Sequence, residues 1–311
     1  MKEKILCRVL TGPTASGKTA LSLRLAKKAG WDILCMDSMQ VYRRMNIGTA
    51  KPTEAEQSEV PHHLLDLCEP DEPFSVADYR EEAERLVQKL WREGREVLFV
   101  GGTGLYLQAL THPMAMGHVA ANPELRETLR RMAEEPDGRR LLHERLEKED
   151  PETAARLPLN DIRRVIRAIE VTEGTGIPFS RQPPREEESA FRWRIAATCL
   201  ERPVLYSRIH ERVDRMIEAG LAEEVRGLLE SGIPETAQSM NGLGYKEMVP
   251  FLHGEISLEE AADRIRLGSR HYAKRQETFL RRLEDIRYVN ADDSDAEEQI
   301  RKILDGKDRS A

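Results

Sequence analysis

The sequence predicts an α/β protein: a parallel sheet with helices on both faces and an all-helical subdomain inserted into it. Three observations carry that expectation. Over the first 116 or so residues short apolar runs alternate with helical patterns. A gap-free phosphate-loop pattern joins the first run to the first helix. From about Gly117 to residue 190 the alternation gives way to charged, helical texture. Repeated strand–turn–helix units imply parallel pairing, because parallel neighbours need a crossover long enough to hold a helix.

Ile5–Thr11 reads as the first strand. Gly12-Pro-Thr-Ala-Ser-Gly-Lys18-Thr19 then fits G-x-x-x-x-G-K-[S/T] at every position and runs into a helical pattern over Thr19–Ala29. That strand–loop–helix context is what the motif requires. Gly12 and Gly17 let backbone N–H groups turn inward as an anion nest, and the helix dipole adds positive potential. Lys18 reaches terminal phosphates, and the Thr19 hydroxyl suits Mg²⁺. The chain therefore binds a di- or triphosphate in a P-loop NTPase-like fold. The pattern recognises a polyphosphate and not the group attached to it, so ATP is a candidate occupant too.

Asp32–Met36 is expected as a second strand, Val76–Arg92 as a helix and Val97–Val100 as a buried strand; Gly101–Gly104 leads into a helix at Leu105. On such sheets ligands bind beyond the carboxyl ends of the strands. The P-loop, Asp37–Gln40 and Gly101–Gly104 should therefore converge on one crevice. Asn122–Glu149 and Glu152–Glu173 read as insertion helices, Ile177–Ser189 as a Pro-rich charged stretch, and Arg192–Leu200 as a strand returning to the sheet. The expected division is a discontinuous core, 1–116 and 191–290, an insertion, 117–190, and an acidic, partly mobile tail, 291–311.

Composition narrows the class. At 311 residues and a net charge of −7 the chain is no polycation, so any nucleic-acid surface must be a local patch. No apolar stretch approaches a membrane span, and Met-Lys-Glu-Lys opens no signal peptide. Cys7, Cys35, Cys68 and Cys199 are far apart, as reduced thiols of a cytoplasmic protein would be. Adjacent His62 and His63 lack metal spacing and read as structural. A monomer is expected.

Leu258–Leu283 carries the second strong signal. Leu258, Ile265, Tyr272, Ala273, Phe279, Leu280 and Leu283 fall on one helical stripe. Arg266, Arg270, Lys274 and Arg281 share a face within about 80° of arc. From Arg264 to Arg282 there are seven Lys/Arg against one acid, Glu277. A solvated face normally intersperses acids at i±4. Their scarcity favours an anionic macromolecule, and Arg163, Arg164 and Arg167 add a second basic cluster.

Asp37 leaves the second strand facing the P-loop, either to hold Mg²⁺ or to act as general base. Ser38, Gln40, Tyr42 and Arg43 follow, a mix suited to reading and stacking on a base. On these residues alone a small-molecule P-loop kinase and a nucleotide-switched RNA-binding regulator remain open.

Further motifs carry a resemblance. GPTASGKT at Gly12–Thr19, DSMQVYR at Asp37–Arg43, NIGTAKP at Asn46–Pro52, PHHLLD at Pro61–Asp66 and GGTGLY at Gly101–Tyr106 resemble the bacterial tRNA dimethylallyltransferase (IPP transferase) family. So do Asn160-Asp161 with Arg164 and Arg167–Glu170, GLGYK at Gly242–Lys246, and Lys274-Arg-Gln276, in family order along nearly the whole chain. The resemblance implies transfer of a dimethylallyl group from its diphosphate to N6 of the adenosine just 3′ of a tRNA anticodon, with Mg²⁺; a related isopentenyltransferase acting on free AMP is the alternative it leaves. It implies that Gly12, Thr14, Ala15, Ser16, Gly17, Lys18 and Thr19 hold the diphosphate, helped by Arg202. It casts Asp37 as base and Thr103 as orienting the adenine. It places tRNA against Asp37, Ser38, Met39, Gln40, Thr103, Arg126, Arg163, Arg164, Arg167, Gly242, Gly244, Tyr245, Lys246, Arg270 and Lys274.

Overall fold

The computed structural model describes residues 4–112, 122–183 and 190–306. Contacts divide the chain into two units: Met1–Thr111 with Ser189–Ala311, and His112–Glu188. The expected boundary at Gly117 and the tip of the acidic tail lie outside the described residues.

The first unit runs β1 (Ile5–Thr11), α1 (Lys18–Ala29), β2 (Trp31–Cys35), α2 (Glu54–Glu59), β3 (His62–His63), α3 (Val76–Arg92), β4 (Glu96–Val100) and α4 (Gly104–Thr111). The second unit holds α5 (Pro123–Glu134), α6 (Gly138–Glu149), α7 (Pro151–Arg156) and α8 (Ile162–Thr175). The first unit resumes with β5 (Phe191–Cys199), α9 (Arg202–Glu218), α10 (Leu221–Glu230), α11 (Tyr245–Leu252), α12 (Leu258–Leu280), β6 (Ile286–Asn290) and α13 (Ala296–Asp305).

The six strands are all parallel, in the order β3-β2-β4-β1-β5-β6. Side chains alternate along each strand, so each face has its own core. Cys7, Val9, Phe99 and Ile195 pack with Tyr79, Ala83 and Val87 of α3 and Leu107 of α4. Leu10, Ile33, Leu98 and Ala196 pack with Leu21 and Leu25 of α1 and Ile300 and Leu304 of α13. The chain leaves β1 toward β2 on one side and later adds β5 on the other. The order thus reverses at β1, and its carboxyl end is where a ligand crevice is expected. A third core joins α9–α12 to the 41–45 segment through Tyr42, Met45, Val213, Met240 and Tyr245.

Several expectations are corrected. Beyond Ala291 the chain is part of the core, since α13 buries Ala296, Ile300 and Leu304. The long basic helix ends at Leu280, and Leu258, expected on its buried stripe, is exposed, the buried face starting at Ala261 and Ala262. The expectation of structural histidines, by contrast, holds: His63 lies in edge strand β3 and bonds the buried Asp32 carboxylate at 2.7 Å.

In the helical unit, Leu129, Leu142, Leu146, Val165 and Ile169 make the core. Its polar corner is Asp150, which accepts from the N–H groups of Thr153 and Ser180 and from the Ser180 hydroxyl.

Candidate active site

The P-loop is held before any ligand arrives. Gly12 has φ 139° and lies so close to β5 that an added Cβ would stand 2.4 Å from Thr198 Oγ1. Gly17 caps α1 in the left-handed region at φ 84°, which frees the first N–H groups of that helix. Ser16 is buried and turned inward: its hydroxyl donates to Pro13 O at 2.7 Å and lies 2.6 Å from Thr198 Oγ1. Lys18 Nζ donates to Pro13 O at 2.6 Å. Ala15 packs against the cluster of Leu200, Leu205, Ile209 and Ala273. Thr19, the second residue of α1, is exposed.

Three loops meet above the sheet. Asp37 follows β2, and its Oδ1 accepts the Met39 N–H at 2.8 Å, fixing the carboxylate half-buried. Thr103 Oγ1 accepts the Ser38 N–H at 3.0 Å, and the Thr103 N–H donates to Met36 O. Gly101 must be glycine, because a Cβ there would lie 2.0 Å from Met36 O. Gln276 of α12 ties two loops together, accepting the Thr14 N–H at 2.8 Å and donating to Gly102 O at 2.9 Å. Tyr272, one turn earlier, is within hydrogen-bonding reach of Thr103 and Gln276.

Two cations face this crevice. Burial, then the nearby Arg212, pushes Lys18 down to about 7, with Asp37 opposing. Arg212 is itself lowered by burial, with Asp37 again opposing, and its Nη2 donates to Thr49 O at 3.3 Å. Sequence reasoning missed Arg212 and chose Arg202. Arg202 is the exposed first residue of α9, where helical side chains lean back past the N-terminus. Arg212 lies more than two turns on, at the edge of the stripe formed by Leu205, Ile209, Val213 and Met216. A cation flanking a buried stripe was the available signal. Arg208, between them, faces the outside of the P-loop. Its Nη1 is 3.8 Å from where a Cβ on Gly17 would stand, and its Nη2 pairs with Asp292 at 2.5 Å.

The residues expected to meet RNA divide sharply. Ser38 and Met39 are half-buried, with Met39 against Gly242, where a Cβ would meet its Cε at 2.4 Å. Gln40 holds its amide inward, donating to Thr49 O and Ala50 O and accepting the Cys35 thiol. Tyr42 lies in the third core, not on a stacking surface, and Arg43 pairs with Glu69. Tyr245 is fully buried and gives its hydroxyl to Glu224 at 2.6 Å. Gly244 starts α11 at φ 96°, and Lys246 is exposed beside Glu247. On α12, Arg266 is neutralised by Asp214, Glu259 and Asp263, acids lying outside the basic window, and Arg264 by Glu260. Arg270 stacks toward Tyr206 at 5.6 Å, while Lys274 is exposed. In the helical unit Arg126 and Arg167 both hold the buried Glu170, Arg164 pairs with Asp161, and Arg163 is exposed.

The crevice thus pairs a phosphate loop and two cations with one carboxylate, an arrangement suited to receiving a diphosphate leaving group beside a base. Comparison with known proteins gives it a context. The IPP transferase family model matches residues 40–283. The tRNA dimethylallyltransferase of Pelotomaculum thermopropionicum is 45% identical over 93% of this chain and 91% of its own length. That of Geobacter metallireducens is 45% identical over 93% of each chain. Among solved structures, the tRNA isopentenylpyrophosphate transferase of Bacillus halodurans is 40% identical with a TM-score of 0.71, covering 98% of this chain and 96% of that one. A eukaryotic dimethylallyltransferase described as acting on tRNA is 27% identical with a TM-score of 0.80, covering 98% and 79%. Residues, fold and relatives agree: this chain belongs to the IPP transferase family.

Proposed function

We propose that this transferase moves a dimethylallyl group from dimethylallyl diphosphate to N6 of the adenosine immediately 3′ of a tRNA anticodon, leaving N6-isopentenyladenosine and diphosphate. The observation that carries the reading is the meeting of the P-loop, Lys18 and Arg212 with Asp37 in one crevice.

The chemistry follows from the groups present. An adenine N6 is a weak nucleophile, because its lone pair is delocalised into the ring. The allylic C–O bond must therefore break early, with negative charge growing on the diphosphate. Preorganised donors at that position lower the barrier most. Gly12–Thr19 amides, Lys18 and Arg212 supply them; Arg212 takes the part that sequence reasoning gave to Arg202. As N6 bonds to the allylic carbon, its proton passes to the Asp37 carboxylate. Thr103, held against Ser38, is given the orienting of the adenine in this reading.

Mg²⁺ belongs to the same reading. Thr19 is exposed at the start of α1, Asp37 is half-buried nearby, and no cage of three or more metal-ligating side chains occurs among the described residues. The ion would be held by Thr19 and the diphosphate oxygens, neutralising leaving-group charge. For RNA, Lys246, Arg270, Lys274 and Arg163 are the better-supported contacts. Gln40 and Tyr245 act from within the first unit, and Arg126 and Arg167 from within the helical unit. No helix among the described residues is long and apolar enough to cross a membrane; a cytoplasmic monomer is the state proposed.

The deciding assay incubates the protein with Mg²⁺, radiolabelled dimethylallyl diphosphate and unmodified tRNA, with free AMP in parallel. Label at N6 of the adenosine 3′ of the anticodon is the expected result. Label in AMP alone reassigns the acceptor. No label, together with ATP-dependent phosphorylation, makes the protein a kinase.

A further inference from the structure

The segment 46–51 touches the crevice without belonging to it. Thr49 O accepts from Arg212 Nη2 at 3.3 Å and from Gln40 Nε2 at 3.1 Å. Ala50 O accepts from Gln40 Nε2 at 3.2 Å. One stretch of backbone therefore holds both the arginine beside Lys18 and the far end of the Asp37–Gln40 loop.

The shape of that stretch is imposed from outside. Glu224, on α10, accepts the N–H groups of Asn46 and Ile47 on Oε2, both at 2.8 Å. Its Oε1 accepts the Gly48 N–H at 3.1 Å and the Tyr245 hydroxyl at 2.6 Å. Three successive amides converging on a carboxylate form an anion nest, here filled by the protein's own side chain. The Tyr245 ring closes the far side: a Cβ on Gly48 would lie 2.5 Å from it. Lys51 anchors the other end to Tyr42 O at 2.8 Å and Asp66 Oδ1 at 2.6 Å.

We infer that Glu224 and Tyr245 form a clamp that positions Arg212 for the leaving diphosphate by fixing the Thr49 carbonyl. Glu224 is a positioning residue, since among the described residues its hydrogen bonds go to the 46–48 backbone and Tyr245 and none to the three crevice loops. The clamp links GLGYK to NIGTAKP, because the tyrosine of one motif and the glycine of the other together shape the nest. The inference rests on the reading of Arg212 as the diphosphate arginine.

The test is a double-mutant cycle between Glu224 and Arg212. Glu224→Gln puts an NH₂ group against backbone donors while keeping the side chain's shape. In full-length protein it should weaken inorganic diphosphate binding, read by calorimetry, and lower kcat/KM for dimethylallyl diphosphate, each by roughly tenfold or more. tRNA affinity should stay within about twofold, well short of the tenfold step that 1.4 kcal/mol makes. Glu224→Asp, which keeps the carboxylate, should recover part of the loss. In an Arg212→Met background Glu224→Gln should add little. An equal loss in both backgrounds would show that Glu224 merely stabilises the fold and would overturn the clamp. If Arg212→Met alone leaves diphosphate binding intact, the reading of Arg212 fails first. Tyr245→Phe, which removes one hydroxyl, runs the same cycle should Glu224→Gln fold poorly.

Discussion

The cations of the crevice and those of the helical unit look alike in sequence and behave differently. Lys18 and Arg212 meet no carboxylate in an ion pair among the described residues; they repel each other across a half-buried space, and Asp37 only partly offsets that. Arg126 and Arg167 converge instead on Glu170, 1% exposed, which also takes the Asn122 N–H. One set is charge left without an ion-pair carboxylate among the described residues. The other is charge already answered, and it serves to keep α5 and α8 together. Counting basic residues does not separate the two; finding their carboxylates does.

The comparison can be broken most sharply at the base. Asp37→Asn should cut prenyl transfer by about a thousandfold, within the range general-base removal produces, while tRNA binding by filter retention stays near normal. Near-normal turnover would remove Asp37 from the reaction. Glu170→Ala should instead destabilise the helical unit by about 3 kcal/mol, since it removes the buried carboxylate that Arg126 and Arg167 share. Thermal unfolding reads this directly, and Arg163→Ala should shift it by less than about 0.5 kcal/mol. Equal shifts for the two would mean the buried pair adds nothing.

A smaller effect is expected on α12. Arg270→Glu with Lys274→Glu should weaken tRNA binding by about tenfold or more and flatten its salt dependence. Arg266→Glu should act mainly on stability, because that guanidinium is held by three acids. Reversed outcomes would exchange the two roles.

The gentlest test is pH. Lys18 is depressed to about 7 in the free protein, and a bound diphosphate favours its protonated form. Affinity for a prenyl diphosphate analogue should therefore fall as pH rises through 7, by at most about tenfold per unit. A Lys18→Met variant should lose that dependence. A wild-type profile flat from pH 6.5 to about 8.5 would contradict the depressed value.

Much of the site was legible because it lies where backbone rules are strict. The strand–loop–helix at Gly12–Thr19, the carboxylate at the end of β2 and the Gly101–Gly104 turn follow from local pattern and from where parallel sheets open. What escaped depends on helix phase and on who meets whom. Arg202, Arg208 and Arg212 share one helix, and their order along it decides which reaches the crevice. Tyr42 and Tyr245 sit in polar motifs yet are buried, because the surrounding backbone needs a ring to close on. Gln276 reads as one more polar residue of a basic helix until its partners, 262 and 174 positions away in the chain, are known.

That glutamine has a mechanical consequence. One amide side chain joins the Gly12–Thr19 loop to the helix bearing Arg270 and Lys274, so α12 cannot slide without either dragging Thr14 along or breaking two hydrogen bonds. Under the function proposed above, the grip on a small phosphate and the surface offered to a large polyanion would be geared together, with Gln276 as the tooth.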